Sequence, residues 1–236
     1  MDTSLALDDS LSLQENFLAG QTLLIDKPYQ WTSFDVVNKI RYATKVKKVG
    51  HAGTLDPLAT GLLIVCTGKK TKTIESLTLD EKEYKGIISL GQTTPSYDLE
   101  TELSEQKDLA HITTTNIQNV VKKFTGELEQ TPPIYSALKV DGQRAYKAAR
   151  KGLDIKMKTR QVIISEFEIE KIELPEIHFR IVCSKGTYIR SIANDVGEAL
   201  GVGGHLKSLQ RTRSGEHKLE DAFQLDEFIN MIKASQ

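Results

Sequence analysis

Cysteine is scarce, with Cys66 and Cys183 the only two among 236 residues. Each sits in an apolar, strand-like stretch, and together they form neither a metal-ligand spacing nor a disulfide framework, so buried free thiols and no metal site are expected. Long apolar runs are missing as well. Nothing approaches the roughly 20 residues a membrane-spanning helix requires, and residues 1–20 hold acids but no Lys or Arg, unlike a signal peptide. A cytoplasmic protein without membrane attachment is the expectation. Nor does one sign of charge dominate: 31 Lys and Arg stand against 32 Asp and Glu, for a net charge of −1. That balance excludes a uniformly basic nucleic-acid binder. The 39% hydrophobic and 27% charged content fits a globular protein, and the length suits one large domain with a single core.

The charge is segregated along the chain. Lys39, Arg41, Lys45, Lys47 and Lys48 occur in residues 39–48 without an acid. Residues 139–160 hold Lys139, Arg144, Lys147, Arg150, Lys151, Lys156, Lys158 and Arg160 against only Asp141 and Asp154. Acids gather instead in residues 2–15, 98–108 and 166–176. Two readings fit: solvated helix faces, or a protein with one phosphate-facing side.

The first twenty residues are polar and aperiodic and end in Gly20, which suggests a flexible leader (1–20) before a domain spanning 21–236. Residues 22–26 read as a short strand, and Ser33 as the cap of a helix facing the core through Phe34, Val37 and Ile40. The apolar run 61–67 reads as a buried strand. Residues 82–90 alternate, placing Tyr84 with Gly86, Ile88 and Leu90 on the inner face. Helices are expected at 115–124, stopped by Gly126, at 144–151, stopped by Gly152, at 187–200, stopped by Gly201, and at 219–232. Two strands flank Pro175 within 162–183. Strands and helices without a regular βαβ rhythm indicate an α+β fold with a mixed, largely antiparallel sheet.

Chemistry concentrates in Gly50-His51-Ala52-Gly53-Thr54-Leu55-Asp56-Pro57-Leu58-Ala59-Thr60-Gly61. Gly50, Gly53 and Gly61 permit backbone angles closed to other residues, and Pro57 fixes the chain just after the carboxylate, so Asp56 belongs on a rigid bend. Taken alone, Asp56 is either an aimed carboxylate or an ordinary turn residue. Other motif readings fail. Thr67-Gly68-Lys69-Lys70-Thr71 lacks the earlier glycine of a phosphate-binding loop, because Leu63 occupies its place. A glycosidase pair would need a second acid near Asp56, and Asp98, in Thr93-Thr94-Pro95-Ser96-Tyr97-Asp98, reads as part of a mobile loop.

Two further segments accompany that loop: Asp26-Lys27-Pro28 followed by Trp31-Thr32-Ser33-Phe34, and Cys183-Ser184-Lys185-Gly186-Thr187-Tyr188-Ile189-Arg190-Ser191-Ile192. In this order the three resemble the tRNA pseudouridine-55 synthases of the TruB type, a resemblance running from about Leu23 to about Arg213. It implies the pseudouridine synthase fold, with helices flanking the sheet, and an isomerase acting on the uridine of the tRNA T-arm loop. Many relatives carry a C-terminal PUA domain, whereas about two dozen residues follow Arg213 here, so no separate PUA domain is expected.

The resemblance also assigns roles. Asp56 matches the catalytic aspartate and Arg190 the arginine that pairs with it, where the alternative is a structural ion pair. Tyr84 matches the aromatic that stacks on the target uracil, and Tyr188 a second pocket tyrosine. His51 matches a histidine stacking in the rearranged RNA loop, and Leu209 an apolar wall of the pocket. Core packing or loop hydrogen bonding is the ordinary alternative for these four, and Lys27 reads as a support for the Asp56 loop. Turning uridine into pseudouridine needs no cofactor, only a carboxylate, a closed pocket and a means of extracting the base. The expected partner is the tRNA T-arm, bound by a monomer. A synthase for another RNA and a tRNA-folding helper without catalysis are the alternatives.

Overall fold

The computed structural model describes residues 7–136, 138–140, 142–149, 151 and 155–235. In chain order the elements are α1 (Leu13–Ala19), β1 (Thr22–Lys27), α2 (Ser33–Thr44), β2 (Val49–Ala52), β3 (Thr60–Thr67), α3 (Ile74–Leu79), β4 (Lys82–Leu90) and α4 (Thr114–Lys122). There follow β5 (Gly126–Gln130), β6 (Lys139–Val140), β7 (Gln143–Arg144), α5 (Ala145–Ala149), β8 (Arg160–Glu173), β9 (Glu176–Cys183) and α6 (Ile189–Ala199). The chain closes with β10 (Gly204–Ser214), β11 (His217–Lys218), β12 (Phe223–Gln224) and α7 (Leu225–Ala234). Two compact units result, one of residues up to Tyr84 together with those from Gln210 onward, the other Lys85–Leu209. The boundary falls inside β4 and β10.

In the first unit β3 is central. Its run Leu62–Cys66 is wholly buried, as expected of a continuous apolar strand. β1 pairs with it antiparallel along one edge, from Thr22 opposite Cys66 to Lys27 opposite Gly61. The other edge is shared by β2, antiparallel, and the end of β10, parallel, with Gln210 opposite Thr60.

Helix α2 starts one residue earlier than its sequence suggests. Thr32 is the cap: its hydroxyl accepts from the Asp35 amide at 3.0 Å, and the Asp35 carboxylate accepts from the Thr32 amide at 2.9 Å. Its buried face is Ser33, Val36, Val37, Ile40 and Thr44, while Phe34 points to solvent. Three residues turn a helix through about 300°, so a strict three-residue series drifts off one face, whereas a mixture of three- and four-residue steps holds it.

Residues 13–19, expected in a loose leader, form α1. Ser12 and Glu15 make a capping box, Phe17 is fully buried edge-on to Phe228 at 6.3 Å, and the Thr67 hydroxyl donates to the Phe17 carbonyl at 2.8 Å. One large aromatic in a polar segment suffices to dock it. The C-terminal helix is likewise shorter than 219–232. Leu219–Asp221 make a 3₁₀ turn, Phe223 and Gln224 run parallel to Ile25 and Asp26, and α7 begins only at Leu225.

The second unit is built on β9, β8 and β5, paired antiparallel in that order, with β8 and β9 joined at the cis Leu174–Pro175 bond. Ile177, Phe179, Ile181 and Cys183 are all buried, as the alternation predicts. Helices α4 and α6 pack together, and each buries an apolar stripe, Val120 and Val121 on the first and Ile192 and Val196 on the second. The helix expected at 144–151 is Ala145–Ala149, and its expected stop, Gly152, lies outside the described residues. The strand pairings are mixed and largely antiparallel, so the α+β expectation holds. Cys66 and Cys183 are buried and form no disulfide, and burial pushes the Cys66 thiol up.

Candidate active site

Asp56 lies in the link between β2 and β3, half-buried, and the backbone on both sides of it is held by side chains from elsewhere in the first unit. On the near side, the Ser33 hydroxyl accepts from the Leu55 amide at 2.9 Å and donates to the Leu55 carbonyl at 3.1 Å. On the far side, Lys27 Nζ donates to the carbonyls of Pro57 at 3.2 Å, Pro28 at 2.9 Å and Trp31 at 2.5 Å. From β10, Arg211 Nε donates to the Leu62 carbonyl at 2.7 Å and its Nη2 to the Gly53 carbonyl at 3.1 Å. Gly53 (φ 82°) and Gly61 (φ 98°) occupy the left-handed region, and a Cβ on Gly61 would collide with the Arg211 carbonyl oxygen. These glycines let β10 and its arginine reach beneath the loop. The bend is therefore preorganised rather than merely exposed.

Two fully buried cations, Lys27 and Arg211, thus flank this link. Burial pulls the Lys27 ammonium down from 10.5 to about 8, against the opposing pull of Asp56 and Asp26. Between pH 8 and 10.5 the unfolded chain holds this proton more tightly than the folded one, so the Lys27 contribution to stability rises with pH across that window. Activity should move oppositely, because the neutral amine removes a cation beside Asp56. We expect turnover to fall above pH 8 with an apparent pKa of about 8. A rate profile flat through that pH, measured where the fold is intact, would contradict this role for Lys27.

His51, on β2 opposite Val65, leads into the same link and is half-buried. Burial, reinforced by Arg211, lowers its pKa against a smaller opposing pull from the Gly53 backbone, so the ring is neutral at pH 7. A neutral, half-exposed ring is suited to stacking. Tyr84 closes the first unit on β4 and is buried.

Arg190, Tyr188 and Leu209 belong to the second unit. Arg190 opens α6 with 3% of its side chain exposed, donating through Nη1 to the Ser96 carbonyl at 3.0 Å and through Nη2 to the Tyr135 carbonyl at 3.1 Å. Its Nε lies 3.7 Å from Asp98 Oδ2. The segment 93–98, expected to be mobile, is tied down. Asp98 is buried, its Oδ1 accepts from the Ser96 hydroxyl at 2.6 Å and the Glu100 amide at 2.9 Å, and the Leu206 amide donates to the Tyr97 carbonyl at 2.8 Å. A buried cation draws a carboxylate to itself, and the loop follows.

Tyr188 sits at the cap position of α6, where the Gln130 side chain brackets it: Oε1 accepts from the Tyr188 amide at 2.7 Å and Nε2 donates to its carbonyl at 3.0 Å. Arg160 covers the ring at 4.6 Å from its centroid. Leu209 is half-buried on β10. Sequence reasoning missed Arg211, Ser33, Asp98 and Gln130 as parts of these arrangements. Arg211 has no local signature, since Arg211-Thr212-Arg213 reads like any surface run.

Among the described residues there is no cluster of three or more His, Cys, Asp and Glu placed to hold a metal ion, and no helix long and apolar enough to cross a membrane.

Comparison with known proteins bears on the same residues. Residues 41–189 match the family described as TruB family pseudouridylate synthase (N terminal domain), and residues 190–236 match the tRNA pseudouridylate synthase B C-terminal domain. A protein of Phocaeicola vulgatus named tRNA pseudouridine synthase B is 52% identical over 219 residues, covering 90% of this chain and 93% of that protein. Its namesake from Flavobacterium johnsoniae is 52% identical over 226 residues, covering 93% and 99%. Among solved structures, a chain of a Cbf5-Nop10-Gar1 complex matches with a TM-score of 0.73 at 31% identity, covering 93% of this chain, which spans 56% of that one. The loop that clamps Asp56 and the helix that opens on Arg190 both fall where this similarity runs, and the chain belongs to the TruB family of pseudouridylate synthases.

Proposed function

We propose that this protein converts uridine to pseudouridine in tRNA, acting on the T-arm loop. The observation that carries the reading is the Asp56 loop, whose backbone is clamped from three directions so that one carboxylate is presented, half-exposed, beside buried cations. The relatives named tRNA pseudouridine synthase B support the choice of substrate. In the reaction the bond from C1′ to N1 breaks, the detached uracil turns over, and C1′ bonds to C5. The C5 proton is released to solvent, and N1 regains one. Asp56 serves as nucleophile toward the sugar or uracil, or as a base acting on the sugar.

Arg190 is assigned to the same reaction by the resemblance, its planar guanidinium filling the space of the extruded nucleotide. Tyr84 stacks on the uracil, Tyr188 and Leu209 close the pocket, and neutral His51 stacks within the opened RNA loop.

A T-arm hairpin labelled with tritium at uracil C5 should release its label stoichiometrically when incubated with the purified protein. Binding without release would sink the enzyme reading in favour of a folding helper, and release from other RNAs but not from the T-arm would move the target. Affinity should fall steeply with salt, log K changing with log salt by about 0.7–0.9 per phosphate contacted.

A further inference from the structure

Helix α2 carries a second stripe that the core does not use. Phe34, Asn38 and Tyr42 follow one another at four-residue spacing on the outer side, with Phe34 59% and Tyr42 83% exposed. Beside them runs a groove of about 350 Å³ lined by Gln30, Trp31, Asp35, Asn38, Lys39 and Tyr42. Exposed aromatics beside a groove rimmed by polar residues mark an interaction surface.

Charge argues for what that is. The exposed Lys39, Lys45, Lys47 and Lys48 belong to a stretch, 39–48, that holds no acid. The one carboxylate in the groove, Asp35, is occupied by the amide and hydroxyl of Thr32, which hold it below the usual carboxylate range. Cations interleaved with aromatics suit a single-stranded nucleic acid, whose bases stack while its phosphates pair.

Connectivity adds a second, independent reason. The groove is joined to the catalytic link through two of its own supports. Lys27 bonds the Trp31 carbonyl and the Pro57 carbonyl at once, and Ser33, in the first turn of α2, holds Leu55. The groove and the Asp56 link therefore share their supports within one unit.

We infer that the groove is a stacking site for an unpaired base of the substrate RNA flanking the modified uridine, with Trp31 and Tyr42 taking the base and Lys39 the adjoining phosphate. The inference rests on the reading that the substrate is RNA. It extends that reading to a surface outside the pocket residues.

Trp31 is the single tryptophan of the chain, so its fluorescence reports this groove alone. With the full chain and the T-arm hairpin, Trp31 emission should be quenched as RNA saturates the protein. Tyr42→Ala should raise Kd and KM about ten-fold, the loss appearing in KM rather than kcat. Lys39→Gln should lower the slope of log K against log salt by about one phosphate contact. Since Tyr42 is 83% exposed, its truncation leaves the fold intact, which a matching thermal melt verifies.

Label release by the wild type together with unmoved Trp31 emission and a wild-type Kd for Tyr42→Ala would overturn the stacking site while leaving the enzyme standing. A wild type that neither binds nor turns over the hairpin would fail the enzyme reading itself.

Discussion

Asp56→Asn should lower turnover about 10⁴-fold or more while RNA binding, followed by anisotropy of a labelled T-arm hairpin, stays near that of the wild type. The substitution is isosteric, removes the charge and puts an NH2 donor in place of one acceptor oxygen. The backbone clamps are made to Leu55, Pro57 and Gly53, none of them through the Asp56 side chain, so the loop keeps its shape. An unchanged rate would remove Asp56 from the mechanism. The same variant carries an independent electrostatic signature. Asp56 is the largest favourable influence on the Lys27 ammonium, so losing it should move the Lys27 pKa further below about 8.

Arg190→Met should be the most damaging single change in the second unit. It leaves Asp98 buried without the cation 3.7 Å away and strips donors from the Ser96 and Tyr135 carbonyls. Breaking a buried pair from one side costs about 3–5 kcal/mol, read from the midpoint of urea unfolding. Arg190→Lys keeps the charge, but an ammonium on a flexible stem cannot reproduce a planar fork that spans two carbonyls and a carboxylate, so much of the loss should persist. Asp98→Asn combined with Arg190→Met should cost less than the sum of the single changes, with a coupling of at least about 1 kcal/mol. Strict additivity would mean that the pair is incidental. In label release, Arg190→Met that still folds should lose about 10²–10³-fold, the scale of one preorganised charge donor.

Much of the fold is visible in local pattern. The buried β3, the alternating β4 and β9, and the stripe of α6 follow directly from apolar spacing, because burial on one face or both imposes that spacing. The errors are also physical. Phe34 fits a three-residue series, yet it lies off the face defined by Val36, Val37 and Ile40. Residues 13–19 look unattached because a single aromatic, Phe17, docks them, and its partner Phe228 is more than two hundred residues away. Phe223 and Gln224 are drawn out of the expected helix by a pairing with β1 at the opposite end of the chain.

The candidate site divides the same way. The linear sequence determined which chemistry is present: a carboxylate on a glycine-flanked bend, an arginine opening a helix, aromatics in strand and loop positions, and two basic stretches in a chain of nearly zero net charge. Those properties depend on residue type and short-range geometry. Only the tertiary structure decided what holds them. Lys27, Ser33 and Arg211 converge on the Asp56 link from β1, α2 and β10, and Asp98 is drawn into the interior by Arg190 across 92 positions of chain. A buried charge must find its partner wherever packing brings one within reach, and sequence distance has no bearing on that requirement.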